Sequence, residues 1–291
     1  MPNPQAIFMG ATPGAEEEVI EFLSVKFPGV PVFGGTAADD ELNGSWSVFS
    51  DDSSSATGVS LVGVSDSVSF GASMLGPYTP TEATFTATKT DGRRVFEVDG
   101  EPAADWAYNW IGDECKEQYE KGGLVLPLTA QKPIGITSSR RKGLGRRIRS
   151  LFPGGKPEEE PEYVTGHLAG FGGAEKFIDF FAPVEEGSTL TIMDSGSGPS
   201  TGYETALSNA VDTAKSSLEG SDPKAALLVY CGGMAIAVGE KLDKGLKSAS
   251  FTSKMKGVPM MGMTCFGEQA CLPKSKKNVQ RNLSVGCIVF G

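Results

Sequence analysis

A hydroxyl, a thiol and a carboxylate fall close together in Thr264-Cys265-Phe266-Gly267-Glu268. Residues of this kind can perform nucleophilic acyl chemistry when a neighbouring base lowers the pKa of the nucleophile. That base is usually a histidine, and His167 is the only one in the chain. A hydrolase acting through Thr264, Cys265 or Glu268 is therefore the least favoured reading, with no catalytic residue assigned and Cys265 read as a packed thiol. Glu268 is the leading binding candidate. It is an acid in a glycine-rich, otherwise apolar loop, and a ligand or Asn282 would be its hydrogen-bond partner. A solvated acid is the ordinary state of a glutamate and stands beside that reading.

The segment leading to Glu268 occurs twice. Gly257-Val258-Pro259-Met260-Met261-Gly262-Met263-Thr264 repeats the pattern of Gly29-Val30-Pro31-Val32-Phe33-Gly34-Gly35-Thr36 at a constant offset. Repetition points to one structural unit used twice. Proline at the start of a strand cannot donate to a ladder and belongs at an edge or a first position. Gly34, Gly35 and Gly262 permit close approach of backbone to a ligand or to the other half. Thr36 and Thr264 place hydroxyls at the strand ends. Two such loops meeting at one cleft would form a ligand site, to which Cys231, Gly232, Cys265, Gly267, Glu268 and Asn282 are added as candidates.

The elements that must position these residues can be read from periodicity. Residues 6–9 form a short buried strand, 16–27 a helix with acids in its first turn, and 30–33 a second strand. Strands follow at 45–50 and 57–64, expected to pair as a hairpin, and at 68–75 and 81–90. A helix covers 103–111, and 123–134 reads as irregular extended chain. Strands are expected at 163–169, 177–182 and 188–193, and a helix from about 202 to 218. The apolar strand 224–230 leads to a small-residue loop at Cys231-Gly232-Gly233, a helix through Leu246, and a last strand at 283–290. Asp194-Ser195-Gly196-Ser197-Gly198-Pro199 is a weak anion-nest candidate, better read as a strand-to-helix turn.

The two halves share an order of parts: strand, loop, helix, motif, strand pair. The expected class is α+β, with mixed, largely antiparallel sheets packed as a helix–sheet–sheet–helix sandwich. The expected division is 1–112 and 113–291, with a flexible charged insertion at about 138–161. That insertion holds six basic residues between Arg140 and Arg149, followed by Glu158, Glu159, Glu160 and Glu162. A solvated loop is the ordinary reading; an anionic protein or lipid partner is the sharper one.

The chain has 26 basic and 36 acidic residues, a net charge of −10. Such a balance excludes nucleic acid as the main partner, because phosphate neutralisation needs a basic face. Five cysteines at wide spacing, with no C-x-x-C pair, read as free thiols in a reducing compartment, hence a cytoplasmic protein. A Cys/His metal site is not expected. No apolar run reaches the roughly 20 residues of a membrane span, and no secretion signal is visible.

These residues also carry a resemblance. The sequence resembles the FIST domain family (F-box and intracellular signal transduction). Its first portion is seen at Pro31-Val32-Phe33-Gly34-Gly35-Thr36-Ala37. The C-terminal portion is seen at Tyr163-Val164, the turn 183–187, the strand 225–231 with its glycine, Gly262 to Glu268, and Asn282-Leu283-Ser284. The resemblance implies a non-enzymatic sensory or adaptor module that binds a small ligand, an amino acid or related metabolite. A protein-interaction role like that of ubiquitin-ligase adaptors is the alternative. Haem, used by some bacterial sensors, would need His167 in an apolar pocket, where a packed histidine is the simpler reading. The family's basic residues after the Cys-Gly loop and after the tyrosine strand are replaced here by Gly233-Met234 and Thr165-Gly166.

Overall fold

The computed structural model describes residues 4–41, 43–138, 161–195, 202–239 and 241–291. The charged cluster Arg140–Arg149 and most of the glycine-rich turn after Asp194 lie outside the described residues.

Each half builds a strand trio with the same directions. In the first, strand Ala6–Ala11 runs parallel to Val32–Thr36 and antiparallel to Val59–Val64. In the second, Ala225–Cys231 runs parallel to Met260–Cys265 and antiparallel to Val285–Phe290. The trios then exchange material. Glu268–Cys271, from the second half, pairs with Val32–Thr36, placing Glu268 opposite Gly35, and Asn278–Arg281 completes that hairpin. Phe70–Leu75, from the first half, pairs with Val285–Phe290. The results are a five-stranded and a four-stranded sheet, each containing both halves.

These two sheets pack face to face. Phe33 of one meets Phe70 of the other edge-on, with ring centroids 6.3 Å apart. The outer faces carry helices. Helix Glu16–Lys26 covers the five-stranded sheet through Ile20 and Leu23, which join Ile7, Met9 and Val32. Its acidic first turn suits the positive end of the helix dipole. Helix Tyr203–Ser216 covers the four-stranded sheet with Leu207, Val211 and the i, i+4, i+8 stripe Ala206, Ala210 and Ala214, whose small side chains allow close packing. The helix–sheet–sheet–helix order expected from the repeat is thus the order observed.

A third sheet was not anticipated. Nine strands drawn from residues 79–102, 123–137 and 164–194 form it, and helix Ala103–Ile111 packs on it through Ala103, Ala104, Ala107 and Ile111. Its long strand Thr79–Asp91 pairs with Thr189–Asp194, so this sheet too holds chain from both sides of residue 112.

Several local expectations are corrected. Val48–Ser50 pairs with Ser53–Ser55 across Asp51-Asp52, while Val59–Val64 goes to Ala6–Ala11. Asp51 takes φ +51°, as a two-residue hairpin turn requires. The stretch 163–169 is two strands, Val164–Gly166 and Leu168–Phe171, broken at His167. The expected helix through Leu246 is broken at Gly239 (φ +51°), giving Gly232–Val238 and Lys241–Leu246. The region 123–134 includes a short helix, Leu126–Thr129, started by Pro127 in its first turn.

The two motif copies occupy different places. Val32–Thr36 is a central strand, buried throughout. A Cβ on Gly34 would fall on the carbonyl oxygen of Met9, and one on Gly35 would lie 2.8 Å from Cys265 Cβ. Met260–Cys265 is an edge strand, and the nearest atom to a Cβ on Gly262 is Leu228 Cβ at 3.5 Å, ordinary contact. Gly34→Ala is therefore expected to cost about 3 kcal/mol or more, and Gly262→Ala to stay within about 0.5 kcal/mol of wild type. Urea denaturation midpoints of the two variants check this, and equal effects would contradict it.

Candidate functional site

The two motif ends meet in direct contact. Phe266 N donates to Thr36 O at 3.0 Å, and Thr36 N donates to Gly267 O at 2.9 Å. The backbones hydrogen-bond to each other, so the two loops form one joint at the C-terminal ends of both parallel strand pairs.

Buried polar side chains surround that joint. Thr36 donates to Glu16 Oε1 at 3.1 Å and accepts from Gln269 Nε2 at 3.0 Å. Glu16, read from sequence as a helix-dipole acid, is buried; it also accepts from Gly14 N and pairs with Arg93 at 3.0 Å. Gln269 Nε2 donates to Gln280 Oε1 at 2.7 Å. On the neighbouring positions Glu268 lies opposite Arg281. The Arg281 guanidinium donates to Met74 O at 3.3 Å and to Thr165 Oγ1 at 3.0 Å, reaching the other two sheets. Asn282 is 1% exposed and its backbone N donates to Thr165 O.

Glu268 is fully enclosed. Its Oε2 accepts from Ser284 N at 3.1 Å and Ser284 Oγ at 2.6 Å, and its Oε1 accepts from Cys265 Sγ at 3.4 Å. Burial pushes its pKa up to about 7, against the pull of hydrogen bonds from Ser284, Cys231 and Cys265. Burial, together with the Glu268 charge, raises both the Cys231 and Cys265 thiols, so neither is a ready nucleophile. Cys231 Sγ instead accepts from Leu283 N at 3.2 Å.

Of the residues singled out from sequence, the joint brings together Gly34, Gly35, Thr36, Cys231, Gly232, Cys265, Gly267, Glu268 and Asn282. It does not include Gly262 or Thr264, which are exposed on the edge strand. Sequence reasoning missed Glu16, Gln269, Gln280, Arg281 and Ser284. The available signal was the polar spacing Asn278, Gln280, Asn282, Ser284 beside a strand of apolar type. Asp39, just past the first motif copy, fixes a turn by accepting from Asn43, Gly44 and Ser45 backbone N.

His167 is buried beside Phe181, with Nε2 3.0 Å from Thr129 Oγ1. Thr129 Oγ1 also lies 2.7 Å from Leu168 O and 3.1 Å from Val125 O, and the ring hydrogen-bonds the Leu126 backbone as well. Burial lowers its pKa to about 4. A neutral ring committed to Thr129 does not fit an axial haem ligand. Among the described residues no cluster of three His, Cys, Asp or Glu could hold a metal ion, and no helix is long and apolar enough to cross a membrane.

Glu268 and His167 set opposite pH slopes. Folded Glu268 keeps its proton up to about pH 7, whereas the unfolded chain releases it near 4.5, so stability falls as pH rises through that window. Folded His167 refuses a proton that the unfolded chain takes up below 6.5, so its share rises from about pH 4 to 6.5. The two largely cancel below 6.5. Glu268→Gln removes the falling slope, and its stability relative to wild type should increase by about 3 kcal/mol between pH 4.5 and 8. Chemical denaturation across that range checks this; a difference independent of pH would mean that Glu268 is ionised throughout.

No curated protein matches the chain. Among solved structures it is similar to a DegV-family protein from Ruminococcus gnavus, crystallised with vaccenic acid, at 8% identity, 64% coverage of this chain and a TM-score of 0.19. The match spans 53% of that structure, about half its length, and a likeness of this size carries no argument. The FIST N domain matches residues 2–101 and the FIST C domain matches residues 110–271. Together they take in the first strand trio, two strands of the second, the joint up to Cys271 and most of the nine-stranded sheet: this chain belongs to the FIST domain family.

Proposed function

We propose that the chain is a non-enzymatic sensory or adaptor domain of intracellular signal transduction that binds a small molecule at the joint, amino acids and related metabolites being the first class to examine. The observation that carries this reading is Arg281. It is 7% exposed and, among the described residues, forms no ion pair, and its Nε has no hydrogen-bond partner. Glu268 is the acid whose charge it feels most, and Glu268 is half-protonated near neutral pH. Burying a charge with so little compensation costs stability, and proteins keep such groups at functional sites. An acidic group on a ligand would supply the missing counter-charge, at strand C-terminal ends where ligands of α/β sheets commonly bind.

The raised thiols and the neutral, hydrogen-bonded His167 support binding over catalysis. Five free thiols support a reducing, cytoplasmic setting.

Thermal-shift screening of the whole chain against amino acids, organic acids and nucleotides tests the reading. The expected result is at least one stabilising acidic compound whose effect grows in Glu268→Gln, which removes the charge that competes for Arg281. A folded sample that no compound stabilises would count against ligand binding, and turnover of a stabilising compound would overturn the non-enzymatic assignment.

A further inference from the structure

Two carboxamides reach Gly267, and a third is bonded to one of them. A Cβ there would run into Gln280 Nε2 and come within 3.3 Å of Asn282 Nδ2. Gln280 in turn accepts from Gln269. Gln269 is 0% and Asn282 1% exposed. Yet Gln269 Oε1, Asn282 Oδ1 and Asn282 Nδ2 have no hydrogen-bond partner among the described residues. Buried amide atoms are nearly always paired, and leaving them unpaired is costly, so three in one neighbourhood call for a partner.

The next residue, Leu283, is fully buried with φ +54°. That left-handed backbone is a true outlier for a bulky side chain. It turns the chain between Arg281 and Val285.

The unpaired atoms specify a chemistry. Two are acceptors and one is an NH2 donor. A carboxylate brings no donor, and an ammonium brings no acceptor. A planar edge with an NH2 group beside an acceptor brings both. We propose that Gln269, held by Gln280, and Asn282, beside Gly267, form a subsite for such an edge: a primary carboxamide, or the equivalent amino edge of a nucleobase. The inference rests on the small-ligand reading above and specifies one part of the ligand.

The test uses the whole chain in thermal-shift and calorimetric titrations with nicotinamide and cytosine, with the uncharged 3-acetylpyridine and N,N-dimethylnicotinamide as controls. The NH2-bearing probes should stabilise the protein and the controls should not; nicotinamide against cytosine decides the source of the edge. Asn282→Leu should weaken the active probe at least tenfold while its own unliganded Tm equals or exceeds wild type, because it deletes unpaired atoms. Three results overturn the proposal. The controls bind as well as the probes, Asn282→Leu leaves binding intact, or Asn282→Leu lowers the unliganded Tm or fails to fold, which would mark bound water or a structural amide. If neither probe binds but other compounds stabilise the protein in a Glu268-dependent way, this subsite falls and the ligand-binding reading stands.

Discussion

One guanidinium ties three sheets together. Arg281 belongs to the edge strand Asn278–Arg281 of the five-stranded sheet, donates to Met74 of the four-stranded sheet and donates to Thr165 of the nine-stranded sheet. A planar fork of fixed donors can bridge partners in this way, where a single ammonium on a flexible stem would not. Thr165, in the middle of strand Val164–Gly166, receives the Arg281 guanidinium. The polar joint therefore sits where the sheets must meet, and its chemistry and its architecture share the same atoms.

The second tie is Glu16. It holds Thr36 at the motif end and pairs with Arg93, which belongs to the turn of the nine-stranded sheet's long hairpin. A buried carboxylate with a hydroxyl, a backbone N–H and a guanidinium around it is well compensated, unlike Arg281. The molecule thus has one satisfied polar node on the helix side of the joint and one under-satisfied node on the other.

How far the sequence could be read follows from these particulars. The repeat located both parallel strand pairs and the meeting of their ends, because strand, glycine turn and amphipathic helix are local signals. Glu268 stood out as an acid among glycines. Strand exchange did not show, since alternation tells which face of a strand is buried and not which strand lies beside it. For the same reason the two copies' glycines look alike in sequence, although Gly34 sits in a central strand and Gly262 on an edge. Gln269, Gln280 and Arg281 have the composition of solvated surface, and only tertiary placement buries them.

The exchanged strands also bear on how the protein is made. Val32–Thr36 gains its second neighbour only when Glu268–Cys271 has been synthesised, and Phe70–Leu75 waits for Val285–Phe290. More than two hundred residues separate each pair, so the closing contacts are of very long range in sequence. During translation the first half must hold open strand edges until the second is complete. The exposed strand Val59–Val64 and the unfilled side of Val32–Thr36 are then the surfaces on which a folding chain is most exposed to wrong pairing.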